Sequence, residues 1–270
     1  MMASLLSKDD AYLTHLSANG NQLKFRKDGI WYKADYLGYE GLAEFVISRL
    51  LGCSNLSQEE YVTYSLVEIH EHEDVLNGCS SPDFMNGWQM ITLDRLFLNA
   101  FGYGVNRIFQ SLQSPLERLH MLVECTERIT GIRAFGIYMS KMITIDTFFL
   151  NEDRHAQNMA VMVNDLGEYR LAPFFDHGAG LLSDTTLEYS LDQDIFKLIP
   201  MAKPKTFCND FDEQLEIAEK LYGQHIQFHF GYHDVKQLLD QAEQYPLEIR
   251  NRVLDIVMQR KRKYEYLFGK

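Results

Sequence analysis

The feature that most limits what this chain can become is a change of hydrophobic period near Trp88. Before it, apolar residues fall in short β-rich runs; after it, they recur at the spacing that lines one face of a helix. LKFRKDG and IWYKADY are two such β-rich runs that meet at Asp28-Gly29. Asp-Gly tolerates the positive φ angles of a tight hairpin turn, so a hairpin is expected there. GYEGLAEFVISRLLG follows, with Leu42, Phe45, Val46 and Leu50 at helical spacing and Gly52 as a stop. EEYVTYSLVEIHE alternates as a further strand, and NGCSSPDF reads as a turn or connector.

Beyond Trp88, LERLHMLVECTERI, AFGIYMSKMITIDTFFL, DEQLEIAEKLYG, DVKQLLDQAEQY and LEIRNRVLDIVMQRKRKYEYLF all have helical periodicity. One stretch interrupts them: MAVMVNDLGEYRLAPFFDHG has two apolar runs either side of Asn164-Asp165-Leu166-Gly167, the pattern of a small hairpin. Repeats, low-complexity tracts and a Pro/Gly-rich linker are absent. The expected class is therefore α+β, with a small β-rich lobe over residues 1–85 and a larger helical lobe over 86–270, packed around a cleft.

Composition narrows the function. A chain of 270 residues, 46% hydrophobic and 13% aromatic, can bury a substantial core. A formal net charge of -12 argues against gripping nucleic acid or an anionic membrane, both of which call for excess Lys and Arg. The four cysteines, Cys53, Cys79, Cys125 and Cys208, have neither zinc-ligand nor disulfide-framework spacing and suit a reducing compartment. The N-terminus lacks a secretory pattern, and a cytoplasmic location is expected. His70 with His72, and His225, His229 and His233, read as surface or packing histidines. Arg260-Lys261-Arg262-Lys263 reads as a solvated helix end that complements the helix dipole.

Chemistry concentrates in FFLNEDRHAQN and FFDHG. Asp153 and Asn158 stand five positions apart just after an apolar helix end, and Asp176 lies eighteen positions beyond Asn158. A carboxylate at the first position can orient a hydroxyl and take its proton. An amide oxygen five residues on can turn back to a metal without adding charge. Asp176 supplies a second carboxylate, suited to hold Mg²⁺ against the phosphates of ATP. The Asp/Asn pair alone is common in polar loops; the order helix, pair, hairpin, Asp-x-Gly is what points to phosphoryl transfer. Lys33, at the end of the second hairpin strand, can reach α- and β-phosphates, although a lone strand lysine is ordinarily a solvated one. Glu40 and Glu44 share one face of the next helix, and Glu44, deeper in it, is the expected partner of Lys33. Lys24 is a competing phosphate lysine that the sequence leaves open.

These segments resemble the HipA-type serine/threonine kinases. FFLNEDRHAQN and APFFDHG are similar to that family's catalytic and metal-binding loops, and the DRHxxN element is also similar to that of phosphatidylinositol 3- and 4-kinases. SANGNQLKFRKDGIWYKADYLGYEGLAEFVISRLLG and NGCSSPDF look like the nucleotide-binding lobe of short bacterial HipA-like proteins. The likeness runs from about Ser17 to Asp184 and weakens through the C-terminal helices. It implies a bilobal protein-kinase-like fold using ATP and Mg²⁺, with Asp153 as catalytic base, Asn158 and Asp176 as metal ligands and Lys33 as the ATP-phosphate lysine. It also implies a protein serine or threonine as acceptor; HipA itself modifies an aminoacyl-tRNA synthetase, so a synthetase or a translation factor is the implied substrate class.

The matching phosphate loop is Ser17-Ala18-Asn19-Gly20-Asn21-Gln22, where Gly20 is the one glycine against three in eukaryotic-type kinases and Ser17 the one serine for HipA-type regulatory phosphorylation. Glu152 stands where those kinases place an arginine, so capture of an activation-loop phosphate is not expected. By the resemblance, the chain is expected to begin directly at the nucleotide lobe, lacking the extra N-terminal segment of full-length HipA proteins, and a separate regulatory partner is the expected source of it. A lipid or small-molecule kinase, and an inactive pseudokinase serving as a binding module, are the alternatives.

Overall fold

The structure is a computed structural model that describes residues 22–71 and 74–269. Ser17 and Gly20 of the expected phosphate loop, and His72, lie outside the described residues. The chain forms two compact units, each drawn from separated stretches. The first takes the described residues up to Phe84, Phe175–Met201 and those from Gln227 onward; the second takes Met85–Phe174 and Ala202–Ile226.

The first unit is built on a four-stranded antiparallel sheet. Strands β1 (Lys24–Lys27) and β2 (Ile30–Ala34) form the expected hairpin, with Lys24 opposite Lys33. Asp28 and Gly29 turn it with φ angles of 50° and 76°, the left-handed pair that a two-residue turn requires. Helix α1 (Glu40–Leu51) follows, and β3 (Ser65–Glu71) and β4 (Asp74–Pro82) complete the sheet in the order β1-β2-β4-β3.

Two expectations change here. The alternating run EEYVTYSLVEIHE becomes a 3₁₀ turn at Gln58–Glu60 before β3 begins, because Glu60 folds back to accept the Ser57 N–H at 2.9 Å. NGCSSP is not a connector but most of β4, an inner strand. Its glycine, which reads as a turn signal, answers a packing need. A Cβ on Gly78 would lie 2.2 Å from the Lys33 carbonyl oxygen, and one on Gly41 of α1 would lie 2.7 Å from the Gly78 carbonyl carbon. Gly78 is therefore required by its neighbouring strand, and Gly41 lets α1 approach the sheet at Gly78.

Helix α1 is buried on almost every side, with Glu40 and Arg49 the exceptions, because the sheet lies on one face and α8 (Tyr232–Asp240) on another. Helix α9 (Leu247–Lys263) closes the unit, and its Arg252 donates to the Tyr189 and Ser190 carbonyls. In its last turn the guanidinium of Arg260 is buried and donates to the Tyr264 hydroxyl at 2.8 Å, so that basic run is only partly a solvated helix end.

The second unit is mainly helical. Helices α2 (Leu93–Phe101), α3 (Val105–Phe109), α4 (Pro115–Thr130), α5 (Phe135–Phe149) and α7 (Phe211–Tyr222) belong to it, while the short α6 (Ile195–Leu198) belongs to the first. Helix α4 starts from a Ser114/Glu117 capping box with Pro115 in its first turn and stops at Gly131, the signals a helix of this kind should have. The expected hairpin forms from β6 (Ala160–Val163) and β7 (Tyr169–Leu171). An unexpected strand, β5 (Gln89–Thr92), pairs with β6; four residues are too few to display alternation. His225 and His229 lie outside helices and His233 on α8, so the three share no helical face. Among the described residues, no helix is long and apolar enough to cross a membrane.

Candidate active site

In the first unit three elements converge on one ammonium. β2 carries Lys33, α1 carries Glu44, and the stretch after Phe175 carries Asp176. Lys33 Nζ donates to Glu44 Oε1 at 2.7 Å and to Asp176 Oδ1 at 2.6 Å. Glu40, the other candidate, is used locally: its carboxylate accepts the Leu37 N–H at 2.7 Å and the Tyr36 and Gly38 N–H groups at 3.2 Å, fixing the entry of α1. The Asp176 stretch is tied to that same entry, where Tyr39 N–H donates to Ser183 O at 3.2 Å and the Tyr39 hydroxyl to Leu181 O at 2.6 Å. Glu44 Oε2 accepts the His177 N–H at 2.9 Å, which fixes the carboxylate that faces Lys33. Asp176 has φ 60°, a left-handed conformation that Asp tolerates better than most residues.

Burial and charge compete at this ammonium. Desolvation alone would lower the Lys33 pKa, but Asp176 and then Glu44 outweigh it and hold the group well above its usual value. Lys24, its cross-strand neighbour, goes the other way. Burial pushes it down, Asp176 pulls it back, and repulsion from Lys33 lowers it again. Beneath Lys33 lie two groups that sequence reading did not single out for the site, Tyr64, whose ring centroid is 5.5 Å from Nζ, and Cys79, opposite Lys33 in β4. Burial, then the charge of Glu44, pushes the Tyr64 hydroxyl up and the Cys79 thiol well up, so neither supplies a nucleophile.

In the second unit the loop after α5 holds Asp153 and Asn158 together. Asn158 Nδ2 donates to the Asp153 carbonyl at 2.8 Å and to its Oδ2 at 3.2 Å. On the other carboxylate oxygen, Lys205 Nζ stands at 3.6 Å and His155 Nε2 at 3.7 Å. The His155 ring accepts the Gln157 N–H through Nδ1 at 3.2 Å, so its proton belongs on the nitrogen facing Asp153.

What shapes this loop is a buried ion pair. Arg154 donates through Nε to Asp146 Oδ2 at 2.8 Å, through one terminal nitrogen to Asp146 Oδ1 at 3.1 Å, and through the other to the Asn158 carbonyl at 2.8 Å. Asn151 adds two bonds to Asp146, from its backbone and side-chain nitrogens. The chain leaves α5 through Leu150 at φ 56°, a strained position for a leucine, which turns Asn151 back onto Asp146. Arg154 and Asp146, which hold the Asp153 loop in place, are residues that the sequence pattern did not single out. The available signal was Asp146, the single carboxylate of a mostly apolar helix, which must find a partner if it is buried. Lys205, from a distant stretch, left no sequence signal.

The chain matches neither a protein-family model nor a curated protein in sequence. Among solved structures it is similar to a Helicobacter pylori proinflammatory kinase, CtkA, with a TM-score of 0.62 at 14% identity, covering 98% of this chain and 95% of that one. The fold is therefore kinase-like, with an antiparallel sheet in its N-terminal part and a mainly helical remainder.

Proposed function

We propose that the chain is a HipA-like kinase that transfers the γ-phosphoryl group of ATP to a serine or threonine hydroxyl of a protein in the cytoplasm. The observation that carries this reading is the Lys33–Glu44–Asp176 cluster. A structural ion pair needs one carboxylate, and Lys33 has Glu44, which is 1% exposed, for that purpose. The second, Asp176, is 26% exposed, sits in a left-handed backbone position, and belongs to the Asp-x-Gly motif. A triphosphate beside Lys33 would meet an ammonium already desolvated and oriented, the preorganised charge that phosphoryl transfer draws on. Lys33 rather than Lys24 takes the phosphate role, since among the described residues Lys24 has no ion pair with a carboxylate and its charge is disfavoured by burial.

The donor groups suit Mg²⁺. The amide nitrogen of Asn158 is committed to Asp153, which leaves the amide oxygen without a hydrogen bond to protein among the described residues, and Asp176 offers a carboxylate. No group of three or more His, Cys, Asp or Glu among the described residues could hold a metal by itself. Magnesium needs no such cage, because it is commonly held by one or two protein oxygens, phosphates and waters. Bound by Asn158 and Asp176, it would neutralise charge on the β- and γ-phosphates. Asp153 orients the acceptor hydroxyl and takes its proton, and Asn158 holds Asp153 in register. Ser17 and Gly20 complete the proposed set as phosphate-loop residues. Resemblance to HipA-type kinases suggests a translation factor or aminoacyl-tRNA synthetase as substrate and a separate regulatory protein as partner.

The test is label transfer from γ-labelled ATP with magnesium, by the wild type, Asp153→Ala and Asp176→Ala, onto lysate proteins, lipids and metabolites, with mass spectrometry of the chain itself. Incorporation into protein by the wild type alone is expected, with self-labelling at Ser17. Equal labelling by all three would remove these aspartates from the mechanism. Transfer to lipid or metabolite would make it a different kinase, and a partner-dependent effect that survives Asp153→Ala would make it a binding module.

A further inference from the structure

Glu152 stands where eukaryotic-type kinases place an arginine, and it has a different task. Its side-chain Oε1 accepts the Lys203 N–H at 2.7 Å and its backbone carbonyl accepts the Lys205 N–H at 3.1 Å. Two bonds thus fasten residues 203–205 along the Asp153 loop. In this stretch Ala202, Pro204 and Thr206 are buried while Lys203 and Lys205 are exposed, the alternation of an extended segment anchored on one side. The anchoring brings Lys205 Nζ to 3.6 Å from Asp153 Oδ1 while leaving 57% of its side chain exposed, free to shift a short distance.

We infer that Lys205 is a further catalytic residue, an ammonium that moves from the Asp153 carboxylate onto the transferred phosphoryl group; the inference rests on the proposed role of Asp153. In the transfer the acceptor hydroxyl oxygen forms a bond to the γ-phosphorus as the bond from that phosphorus to the β–γ bridging oxygen breaks. The bonding pair leaves with ADP, and the hydroxyl proton passes to the Asp153 carboxylate. Charge spreads over the three equatorial oxygens of the phosphoryl group, and a cation aimed at them stabilises that arrangement more than it does the ground state. As the proton arrives, Asp153 loses its charge and releases its hold on Lys205, so the two changes reinforce each other.

The experiment measures release of labelled phosphate from γ-labelled ATP, to water or to the chain's own hydroxyls, for the wild type, Lys205→Ala, Lys205→Arg and Asp153→Asn, with a melting curve for each. Lys205→Ala should lower kcat by about 100-fold with KM for ATP within about twofold, Lys205→Arg should recover most of that loss, and the melting temperatures should coincide because the side chain is mostly exposed. Unchanged kcat in Lys205→Ala beside an inactive Asp153→Asn would overturn the role of Lys205 alone. A rise in kcat would also overturn it, making the ion pair a restraint on Asp153. Full activity in Asp153→Asn, or none in the wild type, would remove the underlying reading as well.

Discussion

The two clusters are held in place by different means. Around Lys33, three charged side chains come from a strand, a helix and a distant stretch, and each is positioned by backbone framework: the β2–β4 register, the close approach of α1 to Gly78, and the Tyr39–Ser183 link. Around Asp153, side chains position one another within a short span, since Arg154, Asn151 and Asp146 bind the loop to the helix it has just left. A framework-held cluster tolerates loss of one charge because backbone contacts keep the others placed. A side-chain-held loop depends on its central pair. The Asp146–Arg154 pair is also the drier one, both members being 1% exposed, against 16% for Lys33 and 26% for Asp176.

The largest effect should therefore come from Arg154→Met, which leaves the Asp146 carboxylate buried without its cation. Breaking such a pair costs about 3–5 kcal/mol, and denaturant unfolding should register that loss together with loss of transfer activity, because the Asn158 carbonyl is released too. A loss below about 1 kcal/mol, in the range of exposed pairs, would mean that water reaches Asp146 and that backbone turns alone shape the loop.

The same contrast explains what the sequence made legible. Asp153 and Asn158 are near neighbours in the chain and belong to one loop, so their spacing could be read directly. The Lys33–Glu44 pair was accessible because one strand and the next helix are adjacent, whereas the contact of Lys33 with Asp176 spans 143 positions and the sequence linked the two only through the phosphates each was expected to face. NGCSSP differs from the expected connector because Gly78 is required by the close approach of the β2 backbone, and a glycine demanded by packing carries the same letter as one demanded by a turn. The buried Arg154 was read as one letter of a motif, since burial of a charged side chain follows from tertiary partners that composition does not reveal.

The next effect in size belongs to the framework side. Asp35, at the end of β2, accepts the Gly41 N–H at 2.5 Å and the Tyr245 hydroxyl at 2.8 Å. Burial raises its pKa from 3.8 to about 7, although both hydrogen bonds oppose the rise. The folded chain then binds more protons than the unfolded chain between those two values. Stability should accordingly fall as pH rises from about 4 to about 7, by at most about 4 kcal/mol. Asp35→Asn, which cannot ionise, should flatten that dependence. Urea midpoints measured across the window decide it, and a flat wild-type profile would show that the carboxylate ionises there without penalty.

The smallest effect should come from Glu44→Gln, the counterpart of Arg154→Met in the framework-held cluster. The amide keeps the shape of the carboxylate, and with its one acceptor oxygen toward the His177 N–H it loses the bond from Lys33 Nζ, since its nitrogen only donates; Asp176 continues to balance the ammonium. What disappears is one charge-assisted hydrogen bond, worth about 1.5–3 kcal/mol, so the urea midpoint should fall by less than in Arg154→Met. If the two variants lost equal stability, Asp176 would not be sharing the charge of Lys33, and the cluster would be a simple ion pair with a bystander carboxylate. Activity sharpens the distinction: Glu44→Gln should weaken ATP binding more than it slows turnover, because an ammonium with one fewer anchor is less well oriented before the phosphates arrive.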